Sequence, residues 1–189
     1  MGGPLTVWRH PRPADVAGRC IGHTDVSVDR RKAKRLAHRI RQQARRGRWP
    51  RVVFTSPLCR SASVGSWLAH WGWRHVIDAR LAELDFGDWD GQLWHDVDVA
   101  EIEAWTNSFA DHRPGGGESV RQLMLRCSHF IASRGDGPVC VVGHAGWINA
   151  LRWIAAGRSE PGEAIDWPVA ARYCAAERFF SNSGGAESQ

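Results

Sequence analysis

The chain has 189 residues, of which 43% are hydrophobic and 24% are charged. This length and composition are ordinary for one globular domain with a substantial core. No apolar run approaches the roughly 18 residues that a membrane span needs, and the first residues become polar too quickly for a signal peptide, so we expect neither.

Positive charge is concentrated in one segment of the chain. The formal net charge is +5, yet residues 30–51 hold eleven basic side chains and no acidic one, which leaves −6 for the remainder. The five cysteines form no CxxC pair. We therefore expect free thiols in a cytoplasmic protein, with neither a disulfide framework nor a structural zinc site.

Short apolar runs predict strands in four places along the chain. Three of these runs end in polar or small residues, as interior parallel strands covered on both faces do. The predicted strands are residues 5–8, 51–54, about 75–79 and 138–143.

Helical periodicity is found between these runs. In the first helix apolar residues recur at helical spacing on an otherwise basic segment, Asp29 can cap its start and Gly47 can mark its end. The predicted helices are residues 31–47, 60–71, 97–110, 118–133 and 146–156.

Alternating strands and helices predict an α/β fold, a single-domain three-layer α/β/α sandwich with a mostly parallel sheet. We assign residues 1–180 to this domain and expect the polar, Gly/Ser-rich residues 181–189 to be a disordered tail. Ligands bind at the carboxyl ends of strands in such folds, which is where Arg9, His10 and His144 fall. An arginine fork suits phosphate oxygens, and a histidine supplies a nucleophilic nitrogen.

Five segments in order resemble the motifs of the histidine phosphatase superfamily, which includes the cofactor-dependent phosphoglycerate mutases. Together they extend from about residue 5 to residue 155. The segments are Val7–His10, Thr55–Arg60, Leu81–Gly91, Pro114–Ser119 followed by Arg126, and Val141–Gly146.

The resemblance implies a phosphatase that forms a phosphohistidine on His10. Arg9 and Arg60 would bind the non-bridging oxygens, and His144, if protonated, would add a donor and a charge. Glu83 would protonate the departing alcohol and then activate water. The expected site contains no metal and no cofactor.

The expected substrate is a small-molecule phosphate monoester. One stretch of sequence indicates which monoester. Pro11 follows the nucleophile where most of the superfamily has glycine, and residues 9–13 with 18–25 are similar to the alpha-ribazole phosphatase branch, which acts in cobalamin nucleotide-loop assembly. His23 stands where that branch more often has arginine. The candidate substrate-binding residues are Arg12, His23, Thr24 and Ala145.

Several alternatives stay open. A phosphoglycerate mutase is disfavoured because the residues between Glu83 and His144 are rich in acid and would repel a doubly phosphorylated intermediate. A broad-specificity sugar-phosphate phosphatase would use the same residues. Basic residues 30–51 could instead bind nucleic acid, although the segment lacks interleaved aromatic residues, and we expect no nucleic-acid partner. A catalytically dead relative is disfavoured because all five segments carry competent residues.

Two further expectations concern the surroundings of the site. Glu118 is expected to cap the helix that follows the glycine-rich turn. The segment Trp167–Ala170 departs from the family's usual late stretch, so the far wall of the pocket and the natural alcohol are not determined. The oligomeric state is not determined either.

Overall fold

A computed structural model describes residues 3–179 of the chain. The strands are β1 (Leu5–Arg9), β2 (Val52–Thr55), β3 (Arg74–Ile77), β4 (Val139–Gly143) and β5 (Ala176–Phe179). They form one sheet in the order β3-β2-β4-β1-β5, in which only the β1–β5 pairing is antiparallel. The predicted tail, residues 181–189, lies outside the described residues.

Helices cover both faces of this sheet. They are α1 (Arg30–Gly47), α2 (Cys59–His70), α3 (Val99–Asn107), α4 (Val120–Ser133) and α5 (Ala145–Ala155). Helices α1 and α2 pack together, as do α4 and α5. The α/β/α sandwich expected from the sequence is therefore confirmed.

The side chains of β1 alternate between two cores. Leu5 and Val7 join the core under α4 and α5, while Trp8 joins the core under α1 and α2. In β4, Val141 belongs to the first core and Val142 to the second. Both faces of a central strand are thus buried, which explains the continuous apolar runs in the sequence.

The structure confirms both predicted ends of α1, which is capped by Asp29 and ends at Gly47. The Asp29 carboxylate accepts hydrogen bonds from the backbone N–H groups of Arg31 and Lys32, each at 2.9 Å. At the other end Gly47 is the last helical residue, and the cap that follows is Arg48, in the left-handed region with φ of 52°. Its backbone N–H satisfies the last carbonyls of the helix, as a glycine at this position would.

Candidate active site

The carboxyl ends of β1 and β4 bring two histidines together. Arg9 is in register with Gly143, and the backbone N–H of His10 donates to the Gly143 carbonyl at 3.1 Å. The next residue, His144, therefore lies beside His10, with 5.0 Å between the ring centroids. Both side chains are buried.

The His10 ring is held in one tautomer. Its Nδ1 lies 2.7 Å from the Pro11 carbonyl oxygen, which can only accept a hydrogen bond, so Nδ1 carries the proton and Nε2 the lone pair. Burial lowers the pKa of His10 to about 3, the charges on Arg60 and Arg9 act in the same direction, and the hydrogen bond to Pro11 opposes them. The imidazole is consequently neutral and nucleophilic at physiological pH.

Arg60 approaches the two histidines from the first turn of α2 and is 1% exposed. Its Nη1 donates to the Thr24 carbonyl at 2.8 Å, its Nη2 donates to the Gly22 carbonyl, and its Nε donates to Nδ1 of His144 at 3.3 Å. These bonds use three of the five guanidinium N–H groups. The guanidinium is fixed in position and keeps donors for an anion.

Asp90 holds the loop that positions Arg60. Its carboxylate accepts the backbone N–H groups of Gly22 at 3.0 Å, His23 at 2.5 Å and Thr24 at 2.9 Å. Burial alone would raise the pKa of Asp90, but the hydrogen bonds from Thr24, His23 and Gly22 together lower it. Charge pattern alone does not separate Asp90 from its acidic neighbours; its place just before Gly91 in the matching segment was the available signal.

His144 is neutral in this site rather than protonated. Burial lowers its pKa well below 6.5, and the neighbouring His10 and Arg60 lower it further. Since Nδ1 accepts from Arg60, Nε2 carries the proton and donates to the Ser56 hydroxyl at 2.7 Å. The expected charge contribution of His144 is thus absent before a ligand enters, and Ser56 is a contact that the sequence did not indicate.

The Glu83 carboxylate lies at the amino end of α5. Its Oε2 accepts the backbone N–H of Gly146 at 3.1 Å, and its Oε1 accepts that of Leu84 at 3.0 Å. These two backbone N–H groups fix the position of the Glu83 side chain. A Cβ at position 146 would collide with the carboxylate, so the close approach requires glycine there.

Arg126 supports the segment that carries Glu83. It pairs with Glu118 through two hydrogen bonds of 2.6 and 2.8 Å, and it donates to the carbonyls of Ala82 at 2.7 Å and Glu83 at 2.8 Å. Glu118 therefore forms an ion pair and is not the helix cap. The cap of α4 is Ser119, which forms a capping box with Gln122.

Arg9 lies against the segment between α5 and β5. Its Nη1 donates to the Ala171 carbonyl at 2.6 Å, and its Cζ lies 3.8 Å from the ring centroid of Tyr173. The Arg9 Nε is buried and has no partner within residues 3–179. Tyr173 and Ala170 form the far wall that the sequence did not determine.

These groups surround one cleft of about 350 Å³. Its charged walls are three arginines and one glutamate, and the other walls are mainly apolar or aromatic. The lining residues are Arg9, His10, Pro13, Val16, Arg19, Ile21, Arg60, Glu83, Phe86, Trp94, Ala145, Ala170 and Tyr173.

Five of the predicted residues line this cleft: Arg9, His10, Arg60, Glu83 and Ala145. His144 is buried behind His10 and is in contact with it.

The lining does not include Arg12, His23 or Thr24, which were predicted to bind substrate. Arg12 is exposed. The ring Nε2 of His23 lies 2.9 Å from the Glu83 carbonyl oxygen, and the Thr24 carbonyl accepts from Arg60. His23 and Thr24 thus contact residues that line the cleft.

The acidic residues after Glu83 lie outside the walls of the cleft. Asp85 accepts the backbone N–H of Gly87, and Asp90 is occupied by the loop described above. Asp88 and Asp96 belong to a separate cavity. These carboxylates do not line the cleft, so any repulsion of a doubly phosphorylated ligand acts from outside its walls.

Three further observations concern membrane spans, metal ligands and cysteines. Within residues 3–179 no helix is long and apolar enough to cross a membrane. In the same range no group of three or more His, Cys, Asp and Glu side chains is arranged to hold a metal ion. All five cysteines are free.

A buried histidine and fixed arginines at the strand ends of an α/β/α sandwich define an enzyme that handles phosphate esters. Residues 5–175 match the histidine phosphatase superfamily (branch 1). The chain belongs to this superfamily and is an enzyme of the phosphatase class.

The relatives include phosphatases and a mutase-like protein. The chain is 30% identical over 162 residues to phosphoglycerate mutase-like protein 4 of Arabidopsis thaliana, covering 78% of this chain and 68% of the relative. It is 33% identical over 137 residues to glucosyl-3-phosphoglycerate phosphatase of Mycolicibacterium vanbaalenii, covering 65% of this chain and 59% of that protein. None of these comparisons singles out the alpha-ribazole branch.

Solved structures share the fold. A mycobacterial glucosyl-3-phosphoglycerate phosphatase has a TM-score of 0.73 at 24% identity, covering 94% of this chain and 89% of that one. A protein from Thermus thermophilus has a TM-score of 0.68 at 23% identity, covering 93% of this chain and 92% of that one.

Proposed function

We propose that this enzyme hydrolyses phosphate monoesters through a phosphohistidine on His10, without a metal ion. The observation that carries the proposal is the state of the His10 ring. Its Nδ1 is fixed on the Pro11 carbonyl, and its pKa of about 3 leaves Nε2 unprotonated at physiological pH. A buried, neutral and oriented imidazole is ready to attack phosphorus.

Arg9 and Arg60 supply the positive charge for the transferred group. Within the described residues Arg9 has an unpartnered buried Nε, and Arg60 has guanidinium N–H groups left over after its three hydrogen bonds. Phosphoryl transfer depends mainly on positioning and on neutralising the equatorial oxygens. A dianionic ester would also favour protonation of His144, which could then add a donor and a charge.

Glu83 supplies the proton in this scheme. As Nε2 of His10 forms a bond to phosphorus, the bond from phosphorus to the ester oxygen breaks, and Glu83 gives its proton to that oxygen. The resulting carboxylate then takes a proton from water, whose oxygen attacks the phosphohistidine. Phosphate leaves, His10 is neutral again and Glu83 is protonated for the next cycle.

Trapping the intermediate tests this scheme. The enzyme is quenched with alkali during turnover of p-nitrophenyl phosphate with chelator present, and the phosphorylated residue is located by mass spectrometry. We expect the adduct on His10, its loss in His10→Gln, and its retention in the control His129→Gln on α4. An adduct on another side chain, or turnover that the chelator abolishes, would contradict the proposal.

We further propose that the leaving alcohol carries an aromatic group, as alpha-ribazole 5′-phosphate does, and that the enzyme acts in the cytoplasm in cobalamin nucleotide-loop assembly. Phe86 and Trp94 line the cleft together with Val16 and Ile21. Flat aromatic and apolar walls favour a flat aromatic ligand over a small polar sugar. The resemblance of residues 9–13 and 18–25 to the alpha-ribazole branch supports the same choice.

A phosphoglycerate-type ester is the second candidate. Arg19 also lines the cleft, and within residues 3–179 only its Nη1 has a hydrogen-bond partner, the Gly91 carbonyl at 2.8 Å. A guanidinium with donors to spare at this place can bind the carboxylate of a glycerate. Two relatives named above support this candidate: one is a glucosyl-3-phosphoglycerate phosphatase and the other is mutase-like. The candidate reactions are hydrolysis of sugar phosphates in general and isomerisation of a phosphoglycerate.

A panel of esters decides between the two. Alpha-ribazole phosphate, glucosyl-3-phosphoglycerate, 3-phosphoglycerate and glucose 6-phosphate are compared by kcat/KM for phosphate release, with isomerisation of 3-phosphoglycerate measured in parallel. We expect alpha-ribazole phosphate to exceed the others by at least tenfold. A preference for either glycerate ester, or isomerisation faster than hydrolysis, would favour the second candidate.

A further inference from the structure

A second cavity of about 460 Å³ lies at the other end of the sheet from the catalytic cleft. Arg51 in its wall directly precedes β2, and Trp73 directly precedes β3. The catalytic residues follow the carboxyl ends of the strands, so the two sites are separated by at least the length of β2, about 13 Å. The cavity takes no part in the chemistry proposed above.

The walls of this cavity carry four positive charges. Arg41, Arg45, Arg48 and Arg51 line it, and within residues 3–179 no carboxylate forms an ion pair with any of them. The cavity also lies at the carboxyl end of α1, whose dipole contributes roughly half a negative charge. Four unpaired guanidinium charges outweigh that contribution, so the cavity attracts anions.

Aromatic rings complete the walls. Trp49, Trp71 and Trp73 line the cavity beside the arginines. The Cζ of Arg41 lies 5.4 Å from the Trp71 ring centroid, a distance at which a cation and a ring attract each other. Trp49 belongs to the basic segment itself, and the turn after α2 brings Trp71 and Trp73 to it in the fold.

This combination selects a particular ligand chemistry. Guanidinium groups bind phosphate oxygens in a bidentate way, and the half-buried Trp49 and Trp71 can contact a flat ring, whereas Trp73 is 7% exposed and packs in the core. The volume lies within the range of small-molecule sites. We propose that this cavity, lined by Arg41, Arg45, Arg48 and Arg51 with the three tryptophans, is a second site that binds an aromatic phosphate of mononucleotide size.

Calorimetric titration with adenosine 5′-monophosphate tests the proposal in a His10→Ala protein, which cannot turn the probe over by the proposed route. Two control titrations use parts of the nucleotide: adenosine supplies the aromatic ring without the phosphate, and inorganic phosphate supplies the charge without the ring. We expect the nucleotide to bind more tightly than either part. Because the catalytic cleft can also bind an aromatic phosphate, we expect two binding events, of which the double variant Arg48→Ala/Arg51→Ala should weaken one at least tenfold and leave the other unchanged.

A matched control separates the cavity from general charge. Arg31→Ala/Arg35→Ala removes the same charge from exposed positions at the other end of α1, and we expect its nucleotide affinity to stay within twofold. Equal weakening in both double variants, or no nucleotide binding, would overturn the proposal. So would much tighter binding of a ten-residue oligothymidylate than of the mononucleotide, because that result would assign the surface to single-stranded nucleic acid.

Discussion

Arg126 fixes the backbone of Glu83: its Nη2 donates to the Glu83 carbonyl at 2.8 Å, while the Glu83 carboxylate accepts from Leu84 and Gly146. A residue on α4 therefore positions the proposed acid through its main chain. The bidentate pair with Glu118 holds the guanidinium in the plane that allows this.

Arg126→Lys should reduce both activity and stability. A lysine keeps the charge but loses the planar fork, leaving Glu118 and the backbone carbonyls without their donors. We expect kcat to fall about tenfold and the free energy of unfolding to fall by about 1–3 kcal/mol, because partly buried acceptors lose hydrogen bonds while the charge pair remains. Urea denaturation and steady-state kinetics measure the two effects.

Arg121, one turn earlier on α4, provides the control. It forms exposed ion pairs with Asp111 and Glu160. Exposed pairs contribute about 0–1 kcal/mol, so Arg121→Lys should leave both stability and kcat close to wild type. Equal losses in the two variants would contradict a positioning role for Arg126.

Acid should destabilise the fold through the two buried histidines. The pKa values of His10 and His144 are both lowered on folding, so the unfolded chain binds protons that the folded chain does not. Below the unfolded value of about 6.5, each such histidine costs about 1.4 kcal/mol per pH unit, until its folded pKa is reached. Above the unfolded pKa of about 6.5 these histidines cost no stability.

The measurement compares wild type with His10→Asn by urea unfolding at pH 7.5, 6.0 and 5.0. We expect the variant's loss of stability to be shallower by about 1.4 kcal/mol per pH unit below pH 6.5. Parallel curves for the two proteins would mean that His10 is not neutral in the folded state.

Asp90→Asn should displace the Arg60 guanidinium indirectly, through the loop of residues 22–24 that both side chains bind. One carboxylate oxygen accepts from Gly22 and Thr24 and the other from His23, and an amide would turn a donor toward at least one of these N–H groups. The loop carbonyls that hold Arg60 would then shift. We expect kcat/KM to fall about 10- to 100-fold, whereas Asp88→Asn, at an exposed position in the same turn, should retain wild-type kinetics.

The walls of the cleft predict opposite effects on two kinds of substrate. Trp94→Ala should lower kcat/KM for p-nitrophenyl phosphate about tenfold and spare glycerol phosphate, because the aromatic wall stacks only on the first. Arg19→Ala should affect only esters that carry a carboxylate, such as 3-phosphoglycerate. Equal losses on all three esters in either variant would show that the residue supports the cleft as a whole.

Much of this architecture was predictable because its signals are local. Apolar runs located β1, β2 and β4, and helical periodicity with Asp29 located α1. Strand β5 was missed because its sequence, Ala-Glu-Arg-Phe, mixes charged and apolar residues, as an edge strand half exposed to solvent can. Its assignment depends on pairing with β1, which is distant in sequence.

The candidate active site shows the same difference between residues with a local sequence signal and residues that only the fold brings together. Arg9, His10 and Arg60 are adjacent to strand ends or motif positions and could be chosen from the sequence. Tyr173 could not, since it reaches Arg9 only through the fold. The roles of the acidic residues after Glu83 depended on the direction of each carboxylate, which spacing along a loop does not encode.

The pairing of β1 has a consequence for synthesis on the ribosome. Its two neighbours, β4 and β5, are residues 139–143 and 176–179. β1 therefore cannot form its strand pairs until these much later residues have been synthesised. A nascent chain that has exposed only residues 1–130 lacks both strands that pair with β1 and hold His10 in position. The sheet around β1 therefore cannot assemble on the ribosome until residue 179 has been exposed, and β1 depends until then on chaperones or on its own solubility.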